Sequence, residues 1–196
     1  MLNRVMIRRR RGLLAIWLAL VLCAHPALAD DIKTVTVFEA RQFSVPVPWG
    51  WSFDEGQDPH VGMTTLKLED PGKEVDLQMT FFPDPEGRVS SREAVEARVK
   101  QILEPMLKTS VEKEILLTFF DSPDGAAAYT TFTDAKLDPK HIPEDEKLLA
   151  VSGIRAWKGG YTLFTLLTNT KDSSAYRKAL EIALSGTRQT KAPVAF

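Results

Sequence analysis

The sequence predicts an α+β fold, a largely antiparallel β-sheet flanked by helices. Three observations point to it: runs of alternating apolar and polar residues separated by hairpin-like breaks, only two segments with helical spacing, and no strand-helix-strand alternation of the kind that builds parallel sheets.

Taken in order, residues 34–38 (TVTVF) form a short β-branched run and residues 42–47 (QFSVPV) a second. Pro46 and Pro48 have no N–H to give to a ladder, so this second run is expected at a sheet edge or leading into a turn. That turn is Trp49-Gly50-Trp51. Residues 60–68 and 74–82 make the next pair, joined by a loop holding Pro71 and Gly72 for a tight reversal. Within 74–82, Val75, Leu77, Met79 and Phe81 fall on one face and Asp76, Gln78 and Thr80 on the other, the period of a strand with one buried and one wetter side.

The period changes over residues 90–108. Val95, Val99, Ile102, Leu103, Met106 and Leu107 recur at three and four, giving a helix with an apolar stripe. Ser90 and Glu93 have the spacing of a capping box, and Glu96, Lys100, Glu104 and Lys108 mark the solvent side. Pro105 is expected to kink or end the last turn. Four strands follow, at 114–120, 125–133, 148–157 and 161–169, the last two joined by a hairpin whose two glycines, Gly159 and Gly160, are expected to supply positive φ. Residues 173–184 close the domain as a second amphipathic helix, with Gly186 as terminator. The polar stretch 134–147, with Pro139 and Pro143, is expected to be a surface excursion. One domain, residues 30–187, is expected, with 188–196 a flexible tail.

Residues 1–29 have the three parts of a cleavable secretory signal: five arginines, the uncharged stretch 12–24, and Ala27-Leu28-Ala29. The alternative, a retained anchor, needs about 20 apolar residues, and this run stops at 13 before His25-Pro26. Cys23 follows Leu22, where a lipid-attachment site needs a small residue, so Cys23 is expected to be an ordinary residue of the leader. A mature chain beginning at Asp30 is expected in the periplasm or secreted medium, with no stable membrane anchor after cleavage. It holds no cysteine, so disulfides and thiolate chemistry are excluded from it. All 26 acidic residues but only 20 of the 25 basic ones lie beyond Ala29, which gives the mature chain a net charge of −6. Without a concentrated basic patch, nucleic acid is not an expected partner.

The phrase Phe43, Val45, Pro46, Pro48, Gly50, Trp51 and the order of elements resemble the PsbP/Mog1-like family of small α+β domains, over about residues 35–184. That resemblance implies a fold and a non-catalytic tendency. Members are accessory or binding proteins, subunits supporting photosynthetic water oxidation and a nuclear-transport cofactor acting on a small GTPase. An exported chain would not meet the latter partner, and no photosystem-binding surface is identified here.

The residues themselves offer few chemical constellations. Asp54, Glu55, Asp58 and His60 read either as a cation site or as a solvated acidic face, and His141 with Glu144, Asp145 and Glu146 reads the same way; neither spacing matches an established metal signature. No Gly-x-Ser-x-Gly elbow occurs: Ser152-Gly153 falls in a strand, and Ser90-Ser91 serve better as a helix cap. Lys158-Gly159-Gly160 is too short for a phosphate loop. Trp49, Trp51 and Phe53 either cap one end of the core or, with His60, line a groove for a peptide, glycan or apolar ligand. Trp157 and Tyr161 are expected to pack across their hairpin turn. The leading expectation is an exported non-enzymatic binding or accessory domain with no cofactor, engaging an envelope protein or small ligand through the sheet face or a helix-sheet groove. The alternatives are a small periplasmic hydrolase with a loop-built site near His60 or His141, and a structural component of the cell envelope.

Overall fold

The computed structural model describes residues 30–37, 41–58, 63–122, 124–186 and 188–190. Among the described residues, ten strands and two helices follow one another as β1 (Asp31–Val37), β2 (Arg41–Val47), β3 (Ser52–Asp58), β4 (Met63–Glu69), β5 (Val75–Pro83), α1 (Arg92–Leu103), β6 (Thr118–Ser122), β7 (Gly125–Thr133), β8 (Leu149–Trp157), β9 (Gly160–Thr168), α2 (Ser174–Glu181) and β10 (Arg188–Thr190). The fold is α+β. Seven strands form an antiparallel sheet in the order β3-β4-β5-β9-β8-β7-β6, and β1-β2-β10 form a second, smaller one.

Alternation in β5 divides the protein into two cores. Val75, Leu77, Met79 and Phe81 point to the side that meets the small sheet and α2, where Val35, Phe43, Val45, Phe164, Leu166, Ala179 and Ile182 are buried with them. Phe43 anchors this core, its ring centroid 5.0 Å from Phe81 and 4.9 Å from Trp157. On the opposite face, Val95, Val99 and Leu103 of α1 pack on Ala128, Phe132, Ile154, Ala156 and Tyr161 of β7, β8 and β9. The stripe read from the sequence is therefore the buried face of α1.

Local chemistry sets the helix ends. Ser91 caps α1, its Oγ accepting from Ala94 N at 3.2 Å, while Ser90 Oγ donates to Gly87 O at 2.6 Å. The cap thus lies one residue beyond the expected Ser90, because Ser90 is held by the preceding turn. Backbone hydrogen bonding and the Ser91 hydroxyl hold the Glu93 carboxyl below its usual range. Pro105 ends the regular helix as expected, and Glu104–Lys108 tightens into a 3-10 turn. Ser173 caps α2 by accepting from Tyr176 N at 3.0 Å, and α2 runs into a wider turn over Ile182–Gly186.

The structure corrects or narrows five expectations. Of the two placements expected for β2, a sheet edge or a lead into a turn, the second holds: β2 runs into the turn at Trp49-Gly50 but is the middle strand of its sheet; β10 reaches only Gln42, Phe43 and Ser44, so Pro46 pairs on one side alone, with Ile32, and its missing N–H interrupts no second ladder. Residues 52–58, where no strand was expected, form the edge strand β3, whose carboxylates suit an edge that must not recruit another strand. β6 begins at Thr118 rather than 114, because the Glu112 carboxylate takes the Thr133 N–H at 2.8 Å and its hydroxyl at 2.9 Å, in place of a neighbouring strand. In the β8-β9 hairpin only Gly159 has positive φ, at +90°; Gly160 is needed because a side chain there would collide with the Trp157 ring. Residues 188–190, expected in a free tail, lie along β2.

Candidate functional site

The helix α1 covers only part of its face of the large sheet. Beyond it, β3, β4, β5 and part of β9 present side chains that no helix among the described residues packs against. Register fixes them in rows running across the strands. One row is Ser52, Glu69, Asp76 and Leu167; the next is Asp54, Lys67, Gln78 and Thr165; a third carries Thr65 and Thr80. The second row continues on β8 with Ser152, so a polar line passes from exposed Asp54, Lys67 and Gln78 to Ser152, which is fully buried. Hydroxyl pairs satisfy its inner part: Ser152 Oγ lies 3.1 Å from Thr165 Oγ1, and Thr65 Oγ1 lies 3.1 Å from Thr80 Oγ1.

This half of the face is concave. A cavity of about 600 Å³ is lined by Asp54, Lys67, Glu69, Asp76, Gln78 and Leu167 among others, and one of about 390 Å³ continues toward Asp58 and Thr65, sharing Asp54, Lys67 and Gln78 with the first. A third, of about 350 Å³, lies across Asp76 and Leu167 from the first, toward Met106, Phe132 and Lys147. Burial raises the Asp76 carboxyl above the usual range; the Lys147 ammonium opposes this, and Glu69 and Asp70 reinforce it. Lys147 itself donates to Lys73 O at 2.7 Å.

The residues singled out in the sequence are dispersed. Trp49 is exposed at 68%, whereas Trp51 and Phe53 are partly buried against the larger core, because strand alternation turns them inward. His60 lies outside the described residues. On β3, Asp54 and Asp58 face the concavity while Glu55 points to the other side and accepts from Gln57 Nε2 at 3.1 Å. His141 stands on the surface excursion with Nδ1 3.1 Å from Asp138 Oδ2. The Asp138 carboxyl is held below its usual range by the Lys140 N–H and by His141. Among the described residues, no group of three or more His, Cys, Asp or Glu side chains is placed to hold a metal ion. A further concavity of about 540 Å³ opens where the chain stands off β7, lined by Glu112, Leu116, Thr118, Tyr129 and Thr131. There the bonds from Thr133 hold the Glu112 carboxyl below its usual range against the opposing effect of burial.

Lys67, Glu69, Asp76 and Gln78 were not candidates in the sequence, although the wet side of the alternating run at 74–82 already carried two of them. What the sequence lacks is the information that α1 stops short of them.

No protein-family model matches the chain, and no curated protein matches it. Among solved structures, the solution structure of cyanobacterial PsbP (CyanoP) from Synechocystis sp. PCC 6803 is similar at 12% identity, covering 86% of this chain and 97% of that one with a TM-score of 0.49. This is a weak resemblance at the level of fold to a PsbP-like small α+β domain.

Proposed function

We propose that the chain is an exported, non-enzymatic binding or accessory domain that holds its partner on the open half of the large sheet. One observation carries the proposal. α1 seals β7, β8 and β9 with an apolar stripe, whereas β3, β4 and β5 on the same face present Asp54, Lys67, Glu69, Asp76 and Gln78 around adjoining concavities of about 600 and 390 Å³. Concave surfaces with several convergent polar groups are where proteins hold ligands and partners. β4 and β5, which carry Lys67, Glu69, Asp76 and Gln78, are tied into the core by their other faces, so this part of the surface is rigid and needs little ordering to bind.

A photo-crosslinking residue at Gln78, introduced in the producing cell, is expected to give a discrete adduct. The same residue at Ala97, on the outward side of α1, is expected to give none. Adducts at neither position, or equally at both, would remove the open half from consideration. The non-enzymatic part is tested separately: hydrolysis of ester or peptide substrates by the purified chain, abolished by His141→Ala, would overturn it.

A further inference from the structure

The open half carries an unbalanced charge in a place where a sheet does not ordinarily tolerate it. Glu69 and Asp76 are direct register partners on β4 and β5, and like charges directly opposite destabilise a strand pair. Asp54 and Asp58 add two carboxylates along β3, against which the face itself sets, among the described residues, only Lys67. From the excursion packed beside it come Asp145 and Lys147, one of each sign; Lys147, which also donates to the Lys73 carbonyl, and the Lys73 ammonium both act against the carboxylate charge at Asp76 and leave the face acidic on balance. Neighbouring Asp70 is committed elsewhere, its oxygens accepting from Gly72 N and Val75 N. Beside Asp76 in register lies Leu167, 36% exposed, on the ridge shared by the 600 and 350 Å³ concavities. Acidic groups thus surround one accessible apolar side chain.

The dimensions suit one additional helix. From β3 to β9 the uncovered strands span roughly 14 Å at the usual spacing of neighbouring strands, and a helix with its side chains is about 10–12 Å across. Successive rows lie two residues apart along a strand, about 7 Å, close to the roughly 6 Å that separates side chains one turn apart on a helix. A helix with cationic residues at that spacing meets the Glu69/Asp76 row and the Asp54 row together.

Resting on the binding reading above, we propose that this half of the sheet docks a basic amphipathic helix of a partner protein, its lysine or arginine side chains on Glu69, Asp76 and Asp54 and an apolar residue on Leu167. Charge complementarity makes such docking selective and salt-dependent.

The test uses the full chain labelled for amide NMR and a synthetic peptide of lysine and leucine at amphipathic helical spacing, with a second peptide in which glutamate replaces every lysine. The lysine peptide is expected to shift amides of β3, β4, β5 and the Leu167 region, the glutamate peptide to shift none. The variant E69Q/D76N, whose own amide spectrum reports its fold, is expected to bind about tenfold more weakly. Absence of shifts with the lysine peptide, shifts confined to the acidic excursion at 134–147, or equal binding by E69Q/D76N would overturn the proposal. Should crosslinking from Gln78 still give its adduct in that case, the charge class of the partner is wrong and the open half remains a binding surface; loss of both results removes the surface as well.

Discussion

Two loops of this protein are built on one device, and breaking it is a direct test of how the sheet connections are held. Asp70-Pro71 and Asp84-Pro85 each open a loop that ends five residues after the aspartate at a buried valine, Val75 or Val89. Both aspartates are buried, at 6% and 8% exposure. Asp84 Oδ1 accepts from Arg88 N at 3.0 Å and Oδ2 from Val89 N at 2.7 Å; Asp70 Oδ2 accepts from Gly72 N at 2.9 Å and Oδ1 from Val75 N at 2.6 Å. In each loop the aspartate carbonyl also closes a turn, from Gly87 N at 3.0 Å and Lys73 N at 2.9 Å. Asp84→Ala removes two bonds to a charged acceptor, each contributing about 1.5–3 kcal/mol, and leaves the Val89 N–H buried without its partner. The expected loss is about 3–5 kcal/mol, or roughly 10 °C in Tm for a chain of this size. Asp84→Asn keeps one acceptor oxygen and turns an amide N–H toward a backbone N–H, so about half that loss is expected. Urea unfolding followed by circular dichroism, with m unchanged, measures both. A change within about 1 kcal/mol for Asp84→Ala, or an equal loss for Asn and Ala, would show that the carboxylate does not organise the loop.

Other outcomes follow from the same structure. Asp76→Asn is expected to raise stability at neutral pH: the folded state holds this carboxyl above its usual range, so ionising it disfavours folding as pH rises from 3.8 through the raised value, and the gain should vanish below pH 3.8, which urea midpoints at the two pH values check. Gly153→Val should cost several kcal/mol or prevent folding, since even a Cβ there would lie 2.5 Å from Tyr129 Cβ and 2.8 Å from Phe164 Cζ; soluble yield and thermal unfolding report it. Trp49→Ala is expected within about 0.5 kcal/mol of the parent and Trp51→Ala to lose about 1–3 kcal/mol, because only Trp51 packs on the core. Protein recovered from the producing cell is expected to begin at Asp30, and N-terminal sequencing that returns Met1 would refute the export reading.

What the sequence made legible is what burial dictates. The alternation at 74–82 placed β5 within a residue, residues 125–133 match β7, and the stripe of Val95, Val99 and Leu103 is the buried side of α1. Elements whose position depends on a distant partner were not legible. β3 has no clear alternation because, beyond Phe53, both of its sides are wet. β6 starts late because Glu112, a side chain, stands in for a strand. β10 is a strand only because β2 offers it Gln42, Phe43 and Ser44. The aspartate loops were half legible: Pro71 and Gly72 predicted a reversal, and the recurrence of Asp-Pro with a valine five residues on was a signal that could have revealed the second. The open half was visible only as the wet side of one strand, since a sequence does not state how far a helix extends over a sheet.

That last point bears on why the charged pair matters. On the face away from the small sheet, the half under α1 is filled with Ala128, Ile154, Ala156 and Tyr161, and the other half repeats none of that chemistry. A merely solvated face has no need of Glu69 directly opposite Asp76, because interspersed charges of both signs keep a surface soluble without mutual repulsion. Nor does edge protection explain the pair, for that task falls to β3, which already carries Asp54, Glu55 and Asp58, whereas β4 and β5 are interior strands. A local rule broken on interior strands, beside an accessible leucine and within a concavity, is the pattern expected where stability is given up for recognition. The rise in stability expected for Asp76→Asn and the loss of basic-peptide binding expected for E69Q/D76N are therefore linked: burial of the Asp76 carboxylate, with repulsion from Glu69 added to it, weakens the free protein, and a cationic partner would offset both.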